Sequence, residues 1–168
     1  MNKSDQTLRA FTITALWAAL ICAVTYLIRV PVPIASGAYV NLGDSVIFLA
    51  GATLGGPHGA IAAGLGSGLA DLLAGATLYI PATVVIKASM GLLTGLLAHK
   101  HGFGRFTLAA LLGGAVMLTG YFAYEAVLLG APTALIGAAF NVVQYVGSVV
   151  AACALYPALR SATKRIGI

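Results

Sequence analysis

The chain has 168 residues, 60% of them hydrophobic and only 8% charged, with a formal net charge of +5. Soluble domains carry about 25% charged residues, so this composition excludes a soluble globular domain and predicts an integral membrane protein. The positive charge does not point to nucleic acid, because the cations cluster at the chain ends and in one loop, where topology signals belong.

At ~20 residues per span, the length holds about six helices and leaves no room for a sizeable soluble domain. The first helix is predicted over residues 7-29. Its apolar run, Phe11 to Ile28, follows Lys3 and Arg9 and superficially resembles a signal peptide. The run is longer than a typical h-region, and Trp17 with Tyr26 suits a retained span. Val30-Pro31-Val32-Pro33 ends it. Two prolines so close favour extended backbone, so residues 30-40 are expected to form a lid loop over the outer surface. The second helix, 41-55, is short and stops at Gly55-Gly56-Pro57, a strong turn signal. The third covers 58-74, the fourth 81-99 and the fifth 106-129. The sixth covers 133-160, with Pro132 suited to its first turn.

Lys3, Arg9, Lys100, Arg105, Arg160, Lys164 and Arg165 all fall on one side if six spans alternate. The positive-inside rule then puts both termini and the 99-106 loop in the cytoplasm. The expected fold is an all-α integral membrane protein, a single domain of six transmembrane helices over residues 1-168. The expected location is a bacterial cytoplasmic membrane, crossed several times.

Five ionisable residues interrupt or border the apolar runs: Arg29, Asp44, Asp71, Lys87 and Glu125. A charge near mid-bilayer costs about 2.5–3.5 kcal/mol on insertion scales, so such groups face one another or a wet cavity. At ~1.5 Å per residue, Asp71, Lys87 and Glu125 all lie within ~10 Å of the outer helix ends. That one-sidedness predicts a polar pocket open to the outside. Asp71 and Lys87 either pair structurally between adjacent helices or also contact a ligand. Asn41-x-x-Asp44 reads either as a helix cap, with Asp44 three residues beyond Asn41, or as ligand contacts.

On the sixth helix, Asn141, Gln144, Tyr145 and Ser148 lie within ~60° of one another and are expected to line the cavity beside Glu125 and Tyr121. Tyr26, Tyr39, Tyr79, Tyr121 and Tyr124 fall in the outer half. They read either as an interfacial aromatic belt or as faces that stack on a flat ring. Two cations against three anions suggest a near-neutral site, suited to a polar heterocycle rather than a phosphate or a metal.

Small residues recur every fourth position: Ala15, Ala19 and Ala23 on the first helix, Ala60, Gly64 and Gly68 on the third, Gly51 and Gly55 on the second. Such faces allow helix backbones to approach within the protein, or, for Ala15–Ala23, to receive another subunit. Cys22 and Cys153 read as apolar packing residues. Gly64-Leu-Gly-Ser-Gly68 lacks the Lys-Ser/Thr ending of a phosphate loop, and no ATP site is recognisable. Ser67 has no histidine base in reach and reads as a small packing residue. No catalytic residue, metal site or cofactor is expected.

The run Asn41-Leu-Gly-Asp44, Leu54-Gly-Gly-Pro57-His-Gly59, Gly66-Ser-Gly-Leu-Ala-Asp71, Tyr79-Ile-Pro-Ala-Thr83 and Ile86-Lys87 resembles the substrate-binding S components of energy-coupling factor (ECF) vitamin transporters. The likeness is close over helices two to four; helices five and six agree in number and polarity more than in motif. It implies a six-helix binding protein, not an enzyme, that captures a water-soluble vitamin or precursor from outside. Its implied partners are a transmembrane coupling subunit (T component), docked on Ala15, Ala19 and Ala23, and two cytoplasmic ATPase subunits. Toppling within the bilayer would release the ligand. Among subfamilies it looks most like the pyridoxine or hydroxymethylpyrimidine group, with riboflavin next. The ligand-binding set is then Tyr39, Asn41, Asp44, Asp71, Tyr79, Lys87, Tyr121, Glu125, Asn141 and Gln144. The competing readings are an intramembrane enzyme using Asp71 or Glu125 as acid or base, and a self-sufficient small-solute transporter.

Overall fold

The computed structural model describes residues 2–166. The side chains of Lys3, Lys164 and Arg165, three of the cations that oriented the chain above, lie outside the described residues. Six helices and one hairpin follow in order: α1 (Lys3–Leu27), β1 (Arg29–Pro31), β2 (Tyr39–Asn41), α2 (Gly43–Leu54), α3 (Gly56–Ala74), α4 (Ile80–Ala98), α5 (Phe103–Leu129) and α6 (Ala131–Ile166). The result is an all-α bundle with a small β-ribbon at one end.

Among the described residues four segments are long and apolar enough to cross a membrane: Ser4–Leu27, Ile80–Ala98, Phe103–Leu129 and Ala131–Thr163. Between them, α2 is apolar but only 12 residues long, and α3 runs 19 residues. Leu27, Val85, Val127 and Val143 are among the many exposed large apolar side chains on the bundle's outside. In water such a coat would drive association; against lipid tails it is the expected surface.

Residues 30–40 are not an irregular loop. Arg29, Val30 and Pro31 pair antiparallel with Asn41, Val40 and Tyr39, and Val32 N–H donates to the Ala38 carbonyl at 3.0 Å. The X-Pro steps force the extended conformation that the prolines signalled, and β-branched valines on both arms fit a ribbon. Gly37 turns the ribbon with φ +80°, and a Cβ there would sit 2.8 Å from the Ala76 Cα. The ribbon's tip is thereby seated on the α3–α4 connection.

Glycine decides the packing of α2, α3 and α4. A Cβ at Gly91 would lie 2.3 Å from the Gly59 carbonyl oxygen, and one at Gly51 2.9 Å from the Gly91 oxygen. Gly64 and Gly68 both face Val84, and Gly66 lies against the Ala18 carbonyl and Ile21, which brings α1 onto α3. Lipid supplies no hydrophobic drive between helices, so close backbone approach provides the attraction. Ala15, Ala19 and Ala23 do not take part; all three are on the exposed side of α1. Phe48, Ile21, Ile47, Met90, Phe106 and Met117 fill the centre.

Chain breaks match local chemistry. Gly55 alone, with φ +82°, separates α2 from α3, and Pro57 sits in the first turn of α3. Gly75 ends α3 in the left-handed conformation. α6 extends to Ile166, past Pro157, which it carries inside the helix.

Candidate functional site

Beneath the hairpin, at the end of the bundle where α3 stops and α4 starts, lies a pocket of about 520 Å³ including its open mouth. Tyr39, Asn41, Asp71, Tyr79, Lys87, Tyr121, Glu125, Asn141 and Gln144 all line it. They come from the hairpin and four different helices. Asp44, the tenth candidate, does not; it is 1% exposed and lies behind Lys87.

Lys87 Nζ donates to Asp44 Oδ1 at 2.5 Å. Gln144 Nε2 donates to Asp44 Oδ2 at 2.7 Å, while Gln144 Oε1 accepts the Asn41 backbone N–H at 2.9 Å. One carboxylate thus ties α2 to α4 and α6, and the same glutamine anchors the hairpin's return strand. The pairing considered between Asp71 and Lys87 is not formed. Asp71 Oδ1 instead accepts the Tyr39 hydroxyl at 2.5 Å. The reason is the depth of α2: its first turn brings Asp44 to Lys87, and the hairpin swings Tyr39 over Asp71. Burial, reinforced by the Asp71 carboxyl, pushes the Tyr39 hydroxyl well above its ordinary pKa, so it stays a donor.

The helix-cap reading of Asn41-x-x-Asp44 also changes. Asn41 Oδ1 accepts from Gly43 N–H at 2.7 Å, a local turn, but Leu42 is the cap residue and Asp44 is taken by Lys87 and Gln144. Gly43 is required there, since a Cβ would lie 1.9 Å from Thr25 Oγ1.

Two carboxyl oxygens in the pocket have no hydrogen-bond partner among the described residues. Asp71 Oδ2 and Glu125 Oε2 are both buried and unbonded among the described residues. Glu125 Oε1 receives only a long 3.5 Å contact from the Tyr79 hydroxyl. The near-neutral balance expected from the sequence is therefore not what the pocket presents. Lys87 is committed to Asp44, and Arg29 stacks on Tyr26 at 4.2 Å from its ring centre and reaches 5.8 Å from that of Tyr39, outside the lining. What remains facing the cavity is acceptor-rich.

The aromatic walls are Tyr79 and Tyr121, with ring centres 6.4 Å apart, and Phe140. The Tyr121 hydroxyl shares a 2.8 Å hydrogen bond with Thr83, and Lys87 Nζ lies 5.2 Å from the Tyr121 ring centre. Tyr124 bonds the Leu78 carbonyl and packs on Tyr79 from outside the pocket. Tyr26 is likewise outside the lining.

Two members of the α6 stripe fall away from the cavity. Tyr145 donates to the Leu111 carbonyl at 2.8 Å and packs against Gly114; Ser148 is fully buried and outside the lining. The stripe slants, so only its upper pair, Asn141 and Gln144, reaches the pocket. Ser67, read as a packing residue, does line it, with an unbonded buried hydroxyl. Thr25, Thr83 and Phe140 are further lining residues outside the expected ligand-binding set, although Thr83 closes the quoted Tyr79–Thr83 run. Thr83 lies one turn before Lys87 on α4 and Phe140 one turn before Gln144 on α6, which is the signal that would have found them; Thr25, on α1, carries no such mark. Cys22 and Cys153 are free thiols. Among the described residues no group of His, Cys, Asp or Glu is arranged to hold a metal ion.

Residues 5–161 match the family described as "ECF-type riboflavin transporter, S component". The chain is 31% identical over 153 residues to the "Thiamine precursor transporter HmpT" of Lactococcus lactis subsp. cremoris (strain MG1363), covering 91% of this chain and 89% of that one. It is also 35% identical over 144 residues to a Pyrococcus woesei protein described as "Uncharacterized protein in gap 3'region", covering 85% and 94% of the two chains. S components are non-catalytic binding subunits, which sets aside the reading of Asp71 or Glu125 as an enzyme's acid or base. With its apolar helices and this match over nearly its whole length, the chain is a multi-pass membrane protein that belongs to the S components of ECF-type vitamin transporters.

Proposed function

We propose that this S component captures a single-ring nitrogen heterocycle, pyridoxine or hydroxymethylpyrimidine in preference to riboflavin, in the pocket beneath the hairpin. The observation that carries this reading is the pair of buried, unpartnered oxygens on Asp71 and Glu125. A buried carboxyl oxygen with no hydrogen-bond partner costs about 1–3 kcal/mol. An occupant that brings donors on two sides satisfies both. An aminopyrimidine carrying a hydroxymethyl group, or a pyridine carrying hydroxyls, does so. The isoalloxazine edge of riboflavin offers mostly acceptors. The name borne by the Lactococcus lactis relative, a thiamine precursor transporter, agrees with the former choice.

The remaining parts follow the same reading. With six spans and the positive-inside rule, both termini and the basic 99–106 loop are cytoplasmic on this reading, so the hairpin lies outside and acts as a lid. Tyr79 and Tyr121 sandwich or flank the ring, and Asn141 reads its edge. Ala15, Ala19 and Ala23, exposed along one side of α1, form a smooth face for the T component, which couples to two ATPase subunits.

The test is mass spectrometry of the compound retained by the purified protein, followed by calorimetric titration with pyridoxine, hydroxymethylpyrimidine and riboflavin. Preferential binding of either single-ring compound supports the reading. Preferential retention of riboflavin overturns the substrate assignment. Asn141→Ala is expected to weaken binding at least tenfold.

A further inference from the structure

At the opposite end of the bundle from the hairpin lies a second cavity, about 710 Å³ including its open mouth. Thr53 of α2, His99, Lys100 and His101 of the α4–α5 connection, and Arg160 and Thr163 of α6 line it. Basic loops near membranes orient spans and need no ligand. This one differs because its cations surround a cavity and have no counter-charge among the described residues. Among the described residues the single salt bridge is Lys87–Asp44, at the other end, and Asp71 and Glu125 are also there. Asp5, the remaining acidic residue of the chain, accepts the Asn2 backbone N–H.

The loop is held in shape from three sides. His99 Nδ1 is 3.1 Å from the Ala52 carbonyl, the Tyr156 hydroxyl donates to the His101 carbonyl at 2.9 Å, and Arg105 Nη1 contacts His101 Nε2 at 2.7 Å. Lys100 is the sole non-glycine residue with positive φ among those described, at 62°. That backbone is uncommon for lysine and fixes the direction in which its side chain leaves the loop. The Arg160 guanidinium stands over Gly102, where a Cβ would lie 3.8 Å from Nη1.

A neighbouring groove shares Tyr156 and Arg160 with this cavity and adds Phe103 and Pro157. Phe103 is 48% exposed and Leu155, also on α6, is 53% exposed. Cations and threonine hydroxyls therefore give way, across Arg160, to an apolar shelf on the lipid-facing side of α5 and α6. A phosphate group carrying an acyl chain matches that sequence of surfaces; a free anion matches only the first part.

The geometry points to a binding site for a phosphate-bearing anion in this cavity, occupied by the headgroup of an anionic phospholipid whose tail lies on the Phe103–Pro157 shelf. Lys100 and Arg160 supply the charge, Thr53 and Thr163 the neutral donors. The site is independent of the pocket beneath the hairpin and of what that pocket binds. It makes the cavity end a place where lipid composition influences the stability of the bundle.

The experiment places the full chain in phosphatidylcholine nanodiscs with and without phosphatidylglycerol, and measures lipid retention by native mass spectrometry. The variants are Arg160→Gln and Lys100→Asn, asparagine being tolerated at positive φ. Each charge removed near the membrane surface is expected to weaken phosphatidylglycerol retention about fivefold. Lys100→Arg should restore it. Thermal unfolding in detergent without phosphatidylglycerol reports whether each variant still folds, and Arg9→Gln, an exposed α1 cation outside the lining, provides a surface-charge control. Equal retention by wild type and the folded double variant overturns the proposal. Inorganic phosphate that saturates the site while phosphatidylglycerol shows no preference over phosphatidylcholine overturns the lipid assignment. Selective loss of phosphatidylglycerol in the double variant, with the control unchanged, supports it.

Discussion

Glu125 on α5 holds its carboxyl directly over Gly137 on α6, so closely that a Cβ at position 137 would lie 2.1 Å from Oε2. The glycine is thus a space reserved for the acid. Gly137→Ala is expected to displace Glu125 and weaken ligand binding about tenfold, with little loss of stability because the atoms it meets are the ends of flexible side chains. Titration of the purified variant with the retained ligand reads the first effect and thermal unfolding the second. Unchanged affinity would show that Glu125 does not need this position to serve the pocket.

Lys87 and Asp44 are 2% and 1% exposed and bonded to each other, so the loss of either leaves the other buried without its partner. Removing one partner of a buried pair costs about 3–5 kcal/mol, whereas replacing both with apolar groups is often neutral. Lys87→Ala should therefore lower the unfolding temperature markedly, and Lys87→Met combined with Asp44→Leu should recover part of it. A single variant as stable as wild type would mean the pair is solvated in the membrane protein.

Tyr39 connects the hairpin to α3 through Asp71. Tyr39→Phe keeps the ring and removes the donor to Asp71 Oδ1. The expected outcome is ligand dissociation that is faster by about fivefold or more, at about 0.5–1.5 kcal/mol or more for the bond. Stopped-flow release measurements check it. Release as slow as in wild type would argue that the hairpin does not gate the pocket.

Ala15, Ala19 and Ala23 give α1 a flat exposed side while its opposite side packs on α3 through Ala18 and Ile21. Ala15→Trp and Ala19→Trp are expected to abolish co-purification with the T component and to leave ligand binding unchanged. Assembly that survives with binding lost would reverse the assignment of the two surfaces.

The class of the molecule was readable from the chain because it depends on amounts and periods. Apolar runs of spanning length and prolines and glycines at their ends mark helices whatever their neighbours do. Polar residues inside those runs, Asp71, Lys87, Glu125, Asn141 and Gln144, identify the end where a polar pocket reaches into the spans, since lipid does not tolerate them facing outwards. The helical repeat says which side of its own helix a residue occupies. It says nothing of how that helix is rotated against the others, or how deep it sits. Only the tertiary arrangement decided that Lys87 meets Asp44 instead of Asp71, that Tyr39 descends onto Asp71, and that Ser67 enters the pocket while Tyr145 and Ser148 leave it. Those outcomes follow from backbone approach at Gly59, Gly91 and Gly66 and from the pairing register of the hairpin. Contacts between segments distant in sequence set both, and no local pattern contains them.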